Sequence, residues 1–272
     1  MIQLVDVRLD HPRGGDVPPL VTEGNLRVPG GEVVVIVGAA GVGTSRLVAA
    51  MLGETALAEG RIDVLGRDVG KLRRSSLRLL RRRVGIVPQD LCLLEDRSAQ
   101  LNVVLPLEID GIPRTVSVAR AAECLARMGL EDEASLPVDC LSSSARQRVA
   151  VARAMVREPE VIIADHPTSA QDAEGAERIC EAFYEAASRG ASVVVFARDP
   201  AIRAIAERNQ WRQLALIEGR LLPLGDVELE GRSIEEVLVG FESAPTPLHP
   251  IPDDLAENLV PFPITARTAG AR

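Results

Sequence analysis

The stretch Val33-Val34-Val35-Ile36-Val37-Gly38-Ala39-Ala40-Gly41-Val42-Gly43-Thr44-Ser45-Arg46-Leu47-Val48-Ala49-Ala50-Met51 decides the fold. Its first five residues form a continuous β-branched run, the kind that suits a strand buried on both faces of a parallel sheet. A glycine-rich turn follows, then a helix-compatible segment. Strand, glycine turn and helix in this order match the framework GxxxxGK[ST], in which glycines free backbone N–H groups to face phosphate at a helix N-terminus. Gly38, Gly41, Gly43 and Ser45 keep that framework, and Ser45 is placed to ligate Mg²⁺. Thr44 stands where the framework has lysine. A unit charge pair near 4 Å is worth ~4 kcal/mol at an effective dielectric of about 20, and threonine supplies no charge at all. Arg46 is the nearest cation, but two residues along a helix turn it about 200° away from position 44.

Working outward, Val161-Ile162-Ile163-Ala164 and Ser192-Val193-Val194-Val195-Phe196 repeat the buried-strand pattern, with helical patterns at 45–52, 116–128, 145–157 and 172–188. Strands alternating with crossover helices predict an α/β fold: a nucleotide-loop parallel sheet core. Alternation at Ile2, Leu4 and Val7 and around 61–64 predicts a peripheral antiparallel β subdomain. A helical subdomain is expected at about 90–155. We expect one domain over 1–225 and a Pro-rich extension over 226–272, with prolines at 245, 247, 250, 252, 261 and 263.

Of the 272 residues, 46% are hydrophobic and 26% charged, which excludes a chain disordered over most of its length. No apolar run approaches the ~18–20 residues of a membrane helix. The N-terminus shows no basic head followed by an apolar stretch, so no secretory signal is expected. The net charge of −8 argues against nucleic acid as a general partner. Lys71 is the one lysine, and between Arg67 and Arg83 eight basic residues face a single acid, Asp68. That segment reads either as a solvated helix face or as a surface for anionic headgroups. Cys92, Cys124, Cys140 and Cys180 are scattered without a CxxC, as expected of reduced thiols.

Further motifs follow in a fixed order. Val87-Pro88-Gln89-Asp90 comes after an expected strand, then Leu141-Ser142-Ser143-Ser144-Ala145-Arg146-Gln147-Arg148. Next are Val161-Ile162-Ile163-Ala164-Asp165-His166-Pro167-Thr168, Ser169-Ala170-Gln171-Asp172 and Val194-Val195-Phe196-Ala197-Arg198-Asp199. From about residue 1 to 222 the chain resembles the ATP-binding-cassette ATPases: phosphate loop, glutamine loop, signature, acidic strand end, D-loop and switch loop. Within that family, residues 79–90, Leu93-Leu94-Glu95-Asp96-Arg97-Ser98 and Asn102-Val103-Val104-Leu105-Pro106-Leu107 resemble the FtsE type of cell-division cassette most. Lipoprotein- and macrolide-export cassettes share the last of these stretches.

The resemblance implies ATP with Mg²⁺ as ligand, bound by the phosphate loop with Gln89 and Asp165, and Mg²⁺ held by Ser45, Gln89 and Asp165. It implies a signature at Ser142, Ser143, Ser144 and Gln147, a D-loop residue at Asp172, and His11 beside the adenine. It also implies where the chain departs from the family. The phosphate-loop lysine is Thr44, the catalytic glutamate falls at His166 and the switch histidine is Arg198. The signature glycines are Ser143 and Ser144, which add Cβ atoms where glycine often adopts a positive φ or permits close approach. These departures imply a pseudo-ATPase with hydrolysis lost or very weak. We expect it to act on the cytoplasmic face of the membrane as partner of an FtsX-like membrane subunit, paired as a homodimer or with another cassette. The alternative is an active or weakly active subunit of a lipoprotein- or macrolide-export transporter.

Overall fold

A computed structural model describes residues 1–12, 17–38 and 41–225; Ala39, Ala40 and the expected extension over 226–272 lie outside the described residues. In chain order the strands are β1 (Ile2–Leu9), β2 (Val21–Val28), β3 (Val33–Gly38), β4 (Glu59–Val64), β5 (Arg67–Asp68), β6 (Val84–Val87), β7 (Val161–Asp165), β8 (Ser192–Ala197), β9 (Arg212–Ile217) and β10 (Arg220–Pro223). The helices are α1 (Thr44–Met51), α2 (Arg74–Arg81), α3 (Ala99–Ile109), α4 (Arg114–Arg127), α5 (Ser143–Met155), α6 (Ala173–Ser188) and α7 (Pro200–Arg208). They form one sheet in the order β5-β4-β1-β2-β10-β9-β3-β8-β7-β6.

Pairing splits the sheet as the residue patterns predict. β3, β6, β7, β8 and β9 join in parallel, whereas β1, β2, β4 and β5 pair antiparallel. Because successive side chains point to opposite faces, β3 feeds two cores. Val33, Val35 and Val37 pack with α3 to α7; Val34 and Ile36 pack with α1, α2 and the antiparallel strands. All six residues of β3 and all six of β8 are buried, which is why these strands read as unbroken apolar runs.

This order places the site. β3, β8, β7 and β6 are adjacent and parallel, so the segments leaving their C-terminal ends lie side by side, where open α/β sheets bind ligands. The glycine loop leaves β3, Arg198 follows β8, Asp165 and His166 end β7, and Gln89 follows β6.

Candidate functional site

At the head of α1, Gly41 (φ +81°) and Gly43 (φ +101°) take left-handed conformations. At Gly43 a Cβ would also come within 2.7 Å of Leu20 Cβ, so glycine is required there for both conformation and space. Around Gly41 the space is open, with nothing within 4 Å of an added Cβ. Thr44 is buried at 4% exposure, while Ser45 faces outward.

Three residues that are far apart in sequence meet here. Ser45 Oγ donates to Asp165 Oδ2 at 2.9 Å and lies 3.4 Å from Gln89 Oε1. Asp165 Oδ1 is buried without a hydrogen-bond partner among the described residues. A cavity of about 570 Å³ opens beside them between α1 and the end of β6, with Val48, Leu52, Ile86 and Pro88 as its apolar lining. A hydroxyl, an amide oxygen and a carboxylate with an unused lone pair form an all-oxygen donor set, which suits Mg²⁺ better than a soft metal. The residues present therefore fit the cation. They fit a triphosphate less well, since the loop keeps its glycines but brings no charge.

Arg46 does not make up that loss. Its Nε is buried with no partner, and among the described residues no hydrogen bond or ion pair joins it to Ser45, Gln89 or Asp165. His11 is half-buried just past the end of β1.

The residue after Asp165 is held in an unusual state. His166 has φ +52° and is 7% exposed. Its backbone N–H donates to the Phe196 carbonyl at 2.8 Å, and its carbonyl accepts from Gln147 Nε2 at 2.9 Å. The ring Nε2 has no hydrogen-bond partner and stands 3.7 Å from Asp165 Oδ1. Burial pushes the imidazole pKa below its ordinary value; Asp165 pulls upward and the nearby Arg198 guanidinium downward. The ring is therefore neutral at pH 7. Arg198 itself is exposed.

The signature region corrects part of the expectation. Ser142 is the N-cap of α5, its Oγ accepting from Ala145 N–H at 3.1 Å. Ser143 and Ser144 form the first turn of that helix, and neither has a positive φ. The expected backbone penalty for serine in place of glycine does not arise, and only the added bulk and the hydroxyls remain. Asp172 likewise caps α6, accepting from Gly175 N–H at 2.8 Å.

Sequence reasoning missed the segment after Gln89. Leu91 (φ +58°) and Cys92 (φ +44°) are consecutive left-handed residues, and neither is glycine. Arg153 clips them, donating to the Cys92 carbonyl at 2.6 Å and the Leu91 carbonyl at 2.5 Å. Arg153 falls in the helical pattern expected over 145–157, but nothing in its residue type signals the contact. Of the leucines here, Leu91 and Leu93 pack against the core and Leu94 is exposed.

Comparison with known proteins agrees with this arrangement. The ABC transporter family profile matches residues 21–169. The chain is 34% identical over 209 residues to the macrolide export ATP-binding/permease protein MacB of Escherichia coli K12, covering 76% of this chain and 32% of that protein. It is 35% identical, over the same shares, to MacB of Salmonella typhi. It thus spans about a third of the length of these curated relatives. Both are macrolide-export proteins, the type that the sequence reading sets second to the FtsE type. Among solved structures, the ATP-binding cassette MJ0796, a dimer in a post-hydrolysis state bound to ADP and Pi, matches with a TM-score of 0.74 and 29% identity, covering 82% of this chain and 99% of that one. Taken with the shared strand ends and the oxygen cluster, these matches establish that the chain belongs to the ABC transporter family as an ATP-binding cassette.

Proposed function

We propose that this cassette binds Mg-ATP weakly and hydrolyses it very slowly or not at all, acting as the cytoplasmic ATP-binding part of a membrane transport complex. The observation that carries this reading is the contrast within one site. Ser45, Gln89 and Asp165 are assembled, while Thr44 and the buried, neutral His166 occupy the places of the charged lysine and the basic carboxylate. A bound Mg²⁺ would supply the charge that draws in the β- and γ-phosphates; Ser45 and Asp165 would hold it in place. His166 has a free ring nitrogen, but its ring sits against Asp165 and its backbone is tied at both ends, so it is poorly placed to orient a water.

The MacB relatives support an export-type membrane partner. The FtsE-type reading, with an FtsX-like partner in cell division, rests on residues 79–90, 93–98 and 102–107 and stands second. Pairing with a second cassette is in keeping with the dimeric MJ0796 relative. The deciding experiment measures phosphate release and nucleotide-dependent thermal shift on the purified chain. We expect a Mg-dependent shift, with release no greater than that of His166→Ala. Turnover that His166→Ala abolishes would overturn the reading.

The basic segment bears on the membrane side of this proposal. Arg81 is tied to the Leu52 carbonyl and Glu54, Arg82 to Asp110 and Arg83 to Glu160. Among the described residues, Arg67, Arg73, Arg74 and Arg78 are exposed and make no ion pair, which makes them the cations of this segment open to headgroups.

A further inference from the structure

Ser144 and Gln171 are far apart in sequence and bind each other at both ends. Ser144 Oγ donates to Gln171 Oε1 at 2.9 Å, and Gln171 Nε2 donates back to the Ser144 carbonyl at 2.9 Å. The same Nε2 donates to Gln147 Oε1 at 3.0 Å. Gln147 is 3% exposed, and its Nε2 donates to the His166 carbonyl at 2.9 Å and to Ser169 Oγ at 3.1 Å. Its Oε1 also accepts the Ala170 N–H at 3.1 Å.

The amide orientations follow from a fixed donor. The Ala170 N–H must meet an oxygen, which fixes Gln147; Gln171 must then turn its NH₂ to Gln147 and its oxygen to Ser144. Reversing Gln147 would set its NH₂ against the Ala170 N–H, and reversing Gln171 would set its oxygen against the Ser144 carbonyl and the Gln147 oxygen. The space is equally specific: a Cβ at position 175 would stand 2.2 Å from Gln171 Oε1, so glycine there makes room for the side chain.

We propose that Ser144, Gln171 and Gln147 form a latch within one subunit that fastens the first turn of α5 to the loop 166–172 and sets both without nucleotide. The signature hydroxyl at 144 is spent on this contact, and a closely approaching ligand or second cassette must displace it. The two segments therefore open and close together, and Mg-ATP is not needed to fasten them. This goes beyond the proposed function, since it holds whether or not the site turns over.

The test is amide hydrogen exchange on the full chain, with and without Mg-ATP, for the parent protein and for Gln171→Leu, Gln171→Glu and Ser144→Ala. We expect equal protection of 143–148 and 168–173 in both conditions. Gln171→Leu should raise exchange in the two segments together, about tenfold, while β3 is unchanged. Gln171→Glu should behave alike, because a carboxylate cannot donate to the Ser144 carbonyl or to Gln147. Ser144→Ala removes one bond and should have a smaller effect on the same two segments; it serves alone if the Gln171 variants do not fold. Exchange that rises in one segment only, that is unchanged in every folded variant, or that falls in the parent only on adding Mg-ATP would overturn the latch. Mg-ATP binding itself is read separately by thermal shift.

Discussion

Around Ser45, Gln89 and Asp165 the polar atoms face a cavity and one carboxylate oxygen is unused. Around Ser144, Gln147 and Gln171 the side chains are turned on one another and on the backbone until almost every donor and acceptor is spent. Asp165 ends β7 and Gln171 lies in the loop that leaves it, so both regions meet at the C-terminal end of that strand. The first is built to receive a ligand, and the second has been satisfied from within. Under the function proposed above, holding a nucleotide and responding to it are separable properties, with more of the first kept.

The strongest way to break this comparison is to restore the missing charge. Thr44→Lys should tighten Mg-ATP by about 30-fold, or ~2 kcal/mol, taking about half of the ~4 kcal/mol Coulomb figure after desolvation. Calorimetric titration reads this directly, and an unchanged affinity would mean the cradle itself is distorted. Thr44→Lys with His166→Glu should then yield measurable phosphate release, since the oxygen cluster is already in place.

Next in size is the hydrogen bond inside that cluster. Ser45→Ala should cost about 1 kcal/mol of stability and remove the Mg-dependence of nucleotide binding. Urea melts with and without Mg-ATP check both parts.

The pH response sharpens the other side. With the folded-state pKa of His166 below 6.5, the unfolded chain takes up the proton first. Stability is therefore full above about 6.5 and is lost as pH falls through the lower folded-state value. His166→Gln should flatten that slope in denaturation curves taken from pH 7.5 to 5.

A smaller effect concerns the surface. Replacing Arg67, Arg73, Arg74 and Arg78 with alanine should abolish salt-sensitive binding to anionic liposomes, at ~1 kcal/mol per cation. Replacing Arg81, Arg82 and Arg83 should instead lower stability and leave liposome binding nearly intact, because these three are engaged with Glu54, Asp110 and Glu160.

The parallel core was legible because burial on both faces leaves a signature in residue type: Val33 to Val37 and Ser192 to Phe196 admit few other readings. The site was legible in the order of its loops, and Ser45, Gln89 and Asp165 meet as the motif order implies. What sequence could not give was conformation at single residues. Serine at 143 and 144 suggested backbone strain, yet both sit in an ordinary helical turn. Ser142 and Asp172 read as functional and are also helix caps, a role any short polar residue there can fill. The Gln147–Gln171 pairing depends on amide orientation across 24 positions, which no local pattern encodes.

The two left-handed residues after Gln89 have a mechanical consequence. Leu91 and Cys92 sit where side chains cost about 1–3 kcal/mol each, and one guanidinium, that of Arg153, pins their carbonyls. The segment joining Gln89 to the helices is thus a wound spring, held by that guanidinium together with the Leu91 N–H to the Pro88 carbonyl and the Cys92 N–H to the Asp90 carbonyl. Drawing Arg153 aside would remove one of these holds, and Cys92→Gly would ease the backbone in advance.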